Sequence, residues 1–448
     1  MSFSSRLIRF EGDTGMFILI TISIVILVLE TTIARIYIFL TPGPQSLQLN
    51  ILLFEVGIVI FLISHLLILF NIRKRLQGLF GGRQHRLKLI FGFVTIVQII
   101  LSALLIVALF QILSSSTYKT SLIITTVIVS YLSGIINLSI LAERFIRWML
   151  RNRSYVSVSF GLATISILVN TLFTVSFVVG VLLTQPSDTT WHLGSLGVVY
   201  TDIYITFQPL YSVSFIASYI ITWFATVMVL HTHSQRLGRA KFWALVILPL
   251  LYIVGEFQSI ILPLVSEYRS ADPVRFTIIY TLAFSMIKIA GAFFFGIGFW
   301  FMARKIEQKS LKSFLNISAY GLILVFVTNQ AVILINAPFP PLGLMTACFV
   351  GLASFLLLVG TYSAAISVSN DVRIRKAIRK SIEKESELIG EIGDAELDME
   401  LRAKVSSMMN KLSAKLKEDT QVEPSLTEDD IKNYTNEVIQ EVIRRKSE

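Results

Sequence analysis

A chain of 448 residues that is 54% hydrophobic and only 15% charged is too apolar to be a string of soluble domains. Its net charge of +10 is unevenly spread: residues 1–370 hold 24 Lys and Arg against 11 Asp and Glu, whereas residues 371–448 hold 15 against 18. The basic excess lies in short loops beside apolar runs, where it orients helices rather than grips phosphate, so no nucleic-acid partner is expected. A soluble enzyme, a β-barrel and a disordered chain are set aside on the same grounds.

Ten apolar runs follow one another, each long enough to cross a hydrocarbon core of about 30 Å as a helix. The predicted fold is therefore all-α: a polytopic membrane bundle over 14–370, between a cytoplasmic N-terminus (1–13) and a helical cytoplasmic tail (371–448). The first span, 14–40, follows Arg6 and Arg9, lacks a small-residue cleavage site, and carries Glu30 and Arg35. Span two, 49–70, carries Glu55 and His65. Spans three and four cover 89–113 and 120–142, and the latter ends on Glu143 and Arg147, an i, i+4 surface ion pair.

Span five, 156–184, leads into a longer connection, Gln185 to about Pro209, with Trp191, Tyr200, Tyr204 and Phe207 and with Tyr211 just beyond it. Those rings read either as an aromatic belt at the headgroups or as a lid over a cavity. Spans six (209–231) and seven (242–265) follow, the second with Pro249, Glu256, Gln258 and Pro263. Span eight, 276–303, carries Lys288 and Gly291, Gly296 and Gly298; span nine, 314–336, carries Asn329 and Gln330. In span ten, 342–368, Ala347 with Gly351 and Gly360 with Ala364 form small-xxx-small pairs that favour close helix approach. The single cysteine, Cys348, excludes an intrachain disulfide and any CxxC pair.

Alternating connections differ sharply in charge. One side takes Arg6 and Arg9, the clusters at 73–88, 144–153, 236–241 and 304–312, and the run Arg373 to Lys380, 24 Lys and Arg together; the other holds only Lys119, Arg269 and Arg275. The positive-inside rule puts both termini in the cytoplasm of a cell-membrane protein.

Charges inside the spans each need a partner or a wet cavity. With a rise of about 1.5 Å per residue, Arg35 and Glu55 reach nearly equal depth, which predicts an ion pair. Glu30, Glu256 and Lys288 fall near the midplane, at roughly 13 to 18 Å from the outer edge. Glu256, Lys288, Gln258, Asn329, Gln330 and Glu30 are the expected intramembrane polar site, with a packing salt bridge as the plainer reading. No catalytic motif, metal set or cofactor is expected: HExxH, Walker A and kinase signatures are missing, and His231 and His233 at i, i+2 do not share a helical face.

In the tail, Gly390 and Gly393 are expected to interrupt a helix continuing span ten. A second helix then starts near Asp394 with an apolar stripe at Leu397, Leu401, Val405, Met408, Leu412 and Leu416. Pro424 breaks the chain, and Thr427 with Asp430 opens another helix carrying Ile431, Tyr434, Val438 and Val442. These faces must pack on the chain itself, a second copy or a cytoplasmic protein.

The stretches NQAVILINAPFPPLGL, VGTYSAAISVSNDVRIRKAIRKS, SELIGEIGDAELDMEL and PSLTEDDIKNYTNEVIQEV cover the last two spans and the tail. They resemble a multi-pass membrane protein family of ammonia-oxidising archaea whose activity is uncharacterised. The resemblance implies a location in the cytoplasmic membrane and transfers no functional residue. The expected role is a non-enzymatic sensor or scaffold coupling the membrane domain to a cytoplasmic partner, with secondary transport through the midplane site as the alternative.

Overall fold

The computed structural model describes residues 13–37, 44–80, 85–151, 154–190, 202–231, 238–256, 270–304, 308–330, 333–336, 339–370 and 387–420, with Ile306 and Glu437. It is an all-α bundle. Its helices are α1 (Asp13–Tyr37), α2 (Pro44–Phe80), α3 (His85–Ser115), α4 (Thr120–Arg151), α5 (Tyr155–Leu182), α6 (Asp202–His231), α7 (Arg239–Glu256), α8 (Pro273–Arg304), α9 (Lys309–Thr328), α10 (Ile333–Asn336), α11 (Leu344–Asn370) and α12 (Glu387–Thr420).

Among the described residues, seven segments are long and apolar enough to cross a membrane. They lie in α2, α3, α4, α5 and α6, across α9 with α10, and in α11; shorter apolar stretches, Ile18–Ala34 and Ala290–Arg304, lie in α1 and α8. Hydroxyls within these helices turn back on their own backbone: Thr126, Thr164, Thr171, Thr174, Thr222 and Thr226 each donate to the carbonyl four residues earlier. That satisfies the hydroxyl where lipid cannot.

Two helices form the axis. Residues 317–328 of α9 and 344–366 of α11 are buried without a break. Their backbones touch: a Cβ on Gly321 would lie 2.3 Å from the Leu357 nitrogen, and one on Gly360 2.4 Å from the Ser318 nitrogen. Small residues permit this approach, and dispersion between the close backbones then holds the pair. On the outside, α2 and α3 turn Leu52, Val59, Ile63, Phe70, Ile96 and Phe110 outward, as lipid-facing helices do.

A two-stranded ribbon, absent from the sequence expectation, caps one end. Strand β1 (Thr117–Lys119) pairs antiparallel with β2 (Asp188–Thr190), with Tyr118 opposite Thr189. Ser116, at φ 52°, turns the chain out of α3 into the strand. Tyr118 is buried and stacks on Phe339, ring centroids 6.0 Å apart, and burial raises its phenol above the usual tyrosine range. Three-residue strands carry too little periodicity to be read from sequence.

The tail corrects one expectation. Gly390 and Gly393 do not interrupt α12, which runs unbroken from Glu387. Gly393 is instead a contact point: a Cβ there would lie 2.3 Å from Val368 of α11. The docked face is Leu388, Ile389, Ile392 and Ala395, while Leu397, Leu401 and Val405 are half-buried and Met408 is 64% exposed. The side chains of Leu412 and Leu416, and the segment from Pro424 to Val442 apart from Glu437, lie outside the described residues.

Candidate functional site

The polar layer of the membrane domain forms where the chain turns from α9 to α11. Pro340 and Pro341 have no N–H to continue a helix, and Gly343 adopts φ 96°, a left-handed conformation that L side chains resist. A Cβ on Gly343 would also crowd Ile333 at 3.2 Å. The turn delivers the N-terminus of α11, whose first N–H groups have no partner within the helix itself, into the bundle.

Glu30 of α1 meets it there. One carboxylate oxygen accepts from the Gly343 N–H at 2.7 Å; the other accepts from the Thr346 N–H at 3.2 Å and the Thr346 hydroxyl at 2.6 Å. A negative charge at the positive end of a buried helix is stabilised by the dipole and by charge-assisted hydrogen bonds. Glu30 therefore clamps α1 to the top of the central helix.

A second group lies across the same turn. Tyr131 of α4 donates to the Asn329 side-chain oxygen at 3.2 Å, Asn329 donates to Asn170 of α5 at 2.6 Å, and Asn170 donates to Ser214 of α6 at 3.0 Å. Four helices are thus joined by one buried chain. Nearby, Ser130 donates to the Ala347 carbonyl at 2.6 Å, and Asn137 to the Gly351 carbonyl at 3.2 Å, stitching α4 along α11.

Of the six residues predicted for the intramembrane site, Glu30, Asn329 and Gln330 are described. Glu30 binds α11, Asn329 joins the amide chain, and Gln330, just past the end of α9, donates back to the Val327 carbonyl of that helix at 3.0 Å. Glu256 lies at the end of α7 and Lys288 in α8, but their side chains, and all of Gln258, lie outside the described residues. In the predicted ion pair Glu55 is half-buried in α2, while the Arg35 side chain is again outside them. His65 is engaged in packing: Nδ1 lies 2.7 Å from the Phe61 carbonyl, Nε2 3.2 Å from the Ser102 hydroxyl, and the ring stacks on Phe61.

Asn170, Tyr131, Ser130 and Thr346 were not expected at the site, because neutral polar residues are singled out by sequence only where they lie near the depth of Glu256 and Lys288. A neutral amide inside an apolar run carries the same message at lower cost, and Asn170 is one.

The other organised polar cluster lies at the far end of α4 and α5, where α12 docks. Arg144 is buried, with its guanidinium 4.5 Å over the Tyr362 ring of α11 and 3.6 Å from Glu396. Trp148 donates its indole N–H to Glu396 at 3.0 Å, Arg151 pairs with Asp398 at 2.7 Å, and Ser157 donates to Glu391 at 3.4 Å. The predicted pair of Glu143 and Arg147 is present on the exposed flank.

No protein-family model matches the chain, and neither a curated protein nor a solved structure matches it.

Proposed function

We propose that this membrane protein is a non-enzymatic sensor or scaffold in which α11 carries a conformational change from the polar layer to the tail. The observation that supports this most is that one rigid helix bears both clusters. Its N-terminus is clamped by Glu30, and its far end presents Tyr362 and Val368 to the Arg144 cluster and to Gly393 of α12. A helix buried without a break over 344–366 couples a shift at one end to the other.

In this reading the chain spans the membrane ten times with both termini in the cytoplasm. The ribbon, which ties the connection at 117–119 to that at 188–190, favours one side for those two, and the docking of α12 beside 144–157 favours the other side for the tail. The resemblance of residues 329 to about 400 and 424–442 to the archaeal multi-pass family fits a cytoplasmic-membrane protein, and the exposed part of α12 around Met408 would meet a cytoplasmic protein or a second copy.

Hydrogen exchange tests the coupling. Glu30→Gln, which weakens the clamp, should raise the exchange rate of residues 387–400 relative to wild type in the same lipid. Unchanged exchange there, in a variant whose α11 N-terminus exchanges faster, overturns the coupling. Secondary transport is the second reading, through the midplane region of Glu256 and Lys288; the acidic Glu30 buried at the α11 N-terminus supports it. Solute uptake in proteoliposomes that is lost in Glu256→Gln would favour it.

A further inference from the structure

Arg144, Trp148, Arg151 and Ser157 line the ends of α4 and α5 away from the ribbon, and all their described partners on α12 are carboxylates: Glu396, Asp398 and Glu391. Two guanidiniums, an indole N–H and a hydroxyl converging on oxygen anions make the donor set that a phosphate group takes as well.

The height of this cradle identifies the phosphate. Leu150 is 74% exposed and Tyr155 82% exposed, one on either side of the turn beside Arg151, and Ile146 faces outward one turn below. Large apolar side chains left open on a membrane helix face acyl chains, and an amphipathic Tyr marks the boundary, so Arg151 stands level with lipid headgroups, with Trp148 and Arg144 buried deeper along α4. Arg144 is buried against the Tyr362 ring, whereas Arg151 is partly open to its surroundings.

We propose that this cradle binds the phosphate of an anionic lipid and that the carboxylates of α12 hold its place, so that the tail is a latch that anionic lipid releases. The proposal rests on the reading of the tail as an output element. The contacts suit exchange: the Arg144 to Glu396 separation of 3.6 Å is a long ion pair, and Arg151 and Asp398 are partly open to solvent, where such pairs are weak. Each basic side chain gains comparably from an anionic membrane surface. The apolar contacts of Leu388, Ile389 and Ile392 with the bundle keep the tail docked when that lipid is scarce.

The test is a distance measurement between spin labels at Tyr155→Cys and Ser407→Cys in the full chain, in which the native Cys348 is buried. In phosphatidylcholine vesicles a single docked distance is expected. Replacing a third of the lipid by phosphatidylglycerol should raise the ratio of released to docked tail by about five-fold or more. Glu396→Gln with Asp398→Asn should release the tail in phosphatidylcholine alone.

An unchanged distance in phosphatidylglycerol overturns the proposal, as does a double variant that stays docked. Release in neutral vesicles by inorganic phosphate assigns the cradle to a soluble anion, and release by potassium chloride at equal ionic strength reduces it to screening; either result also overturns it. If phosphatidylglycerol has no effect while Glu30→Gln still speeds exchange in 387–400, the lipid latch falls and the coupling through α11 stands.

Discussion

The central helices α9 and α11 and the peripheral helices α2 and α3 invert the rule learned from soluble proteins. The peripheral pair is the more apolar and faces outward; the central pair is less apolar and is buried without a break over 317–328 and 344–366. Lipid is as good a solvent for Leu and Ile as a protein interior, so hydropathy does not decide which helix goes inside. Small side chains and polar groups that need partners decide it. The centre holds Gly321, Gly351, Gly360, Ser318 and Ser354 among its apolar residues, and the rim turns Leu, Ile, Val and Phe outward.

A matched pair of glycines tests this most severely. Gly321→Leu forces a side chain into the Leu357 backbone and should cost about 3 kcal/mol, lowering the thermal midpoint sharply or abolishing folded protein in detergent. Gly92→Leu, on α3, meets nothing within 4 Å and should be neutral or stabilising by up to about 1 kcal/mol through helix propensity. If both glycines tolerate Leu equally in thermal unfolding, backbone contact does not hold the centre together.

The same contrast explains what could be read in advance. Hydropathy located the helical runs because the spanning length is set by the bilayer. The small pairs at Ala347, Gly351, Gly360 and Ala364 flagged α11 as a close-packing helix, and Gly351 and Gly360 do meet Ser133 and Ser318. Its place at the axis was not visible, because which helices surround it depends on contacts far apart in sequence. Glu30 was marked as a buried charge needing a partner; its partner proved to be backbone N–H groups some 313 to 316 residues away, which no side-chain pairing rule would nominate. In the tail, the glycine-as-breaker reading failed because Gly393 serves contact with Val368.

Acidic residues sharpen the comparison at a smaller magnitude. Glu30→Ala removes the acceptor from Gly343 and Thr346 and leaves buried donors without it, at a cost of about 2 kcal/mol. Glu55→Ala, on half-buried α2, should cost less than about 1 kcal/mol. Equal shifts in the thermal midpoints of the two variants would show that the α11 clamp adds nothing to stability. Restoring length without charge in Glu30→Gln should recover part of the loss, since the amide oxygen can still accept one of the N–H groups.

Smaller effects, again opposite in sign between centre and rim, concern buried amides. Asn170 accepts from Asn329 and donates to Ser214, so Asn170→Leu strands the Asn329 amide inside the bundle and should cost about 1 to 2 kcal/mol. Gln98, on peripheral α3, is buried too, yet neither its amide oxygen nor its nitrogen has a hydrogen-bond partner. Removing a polar group that is desolvated without compensation is favourable, so Gln98→Leu should stabilise by about 1 kcal/mol. Thermal unfolding of the two variants in one detergent decides the matter. Destabilisation in Gln98→Leu as large as in Asn170→Leu would mean that Gln98 is bonded after all, and that the rim of the bundle, like its centre, is organised by polar contacts.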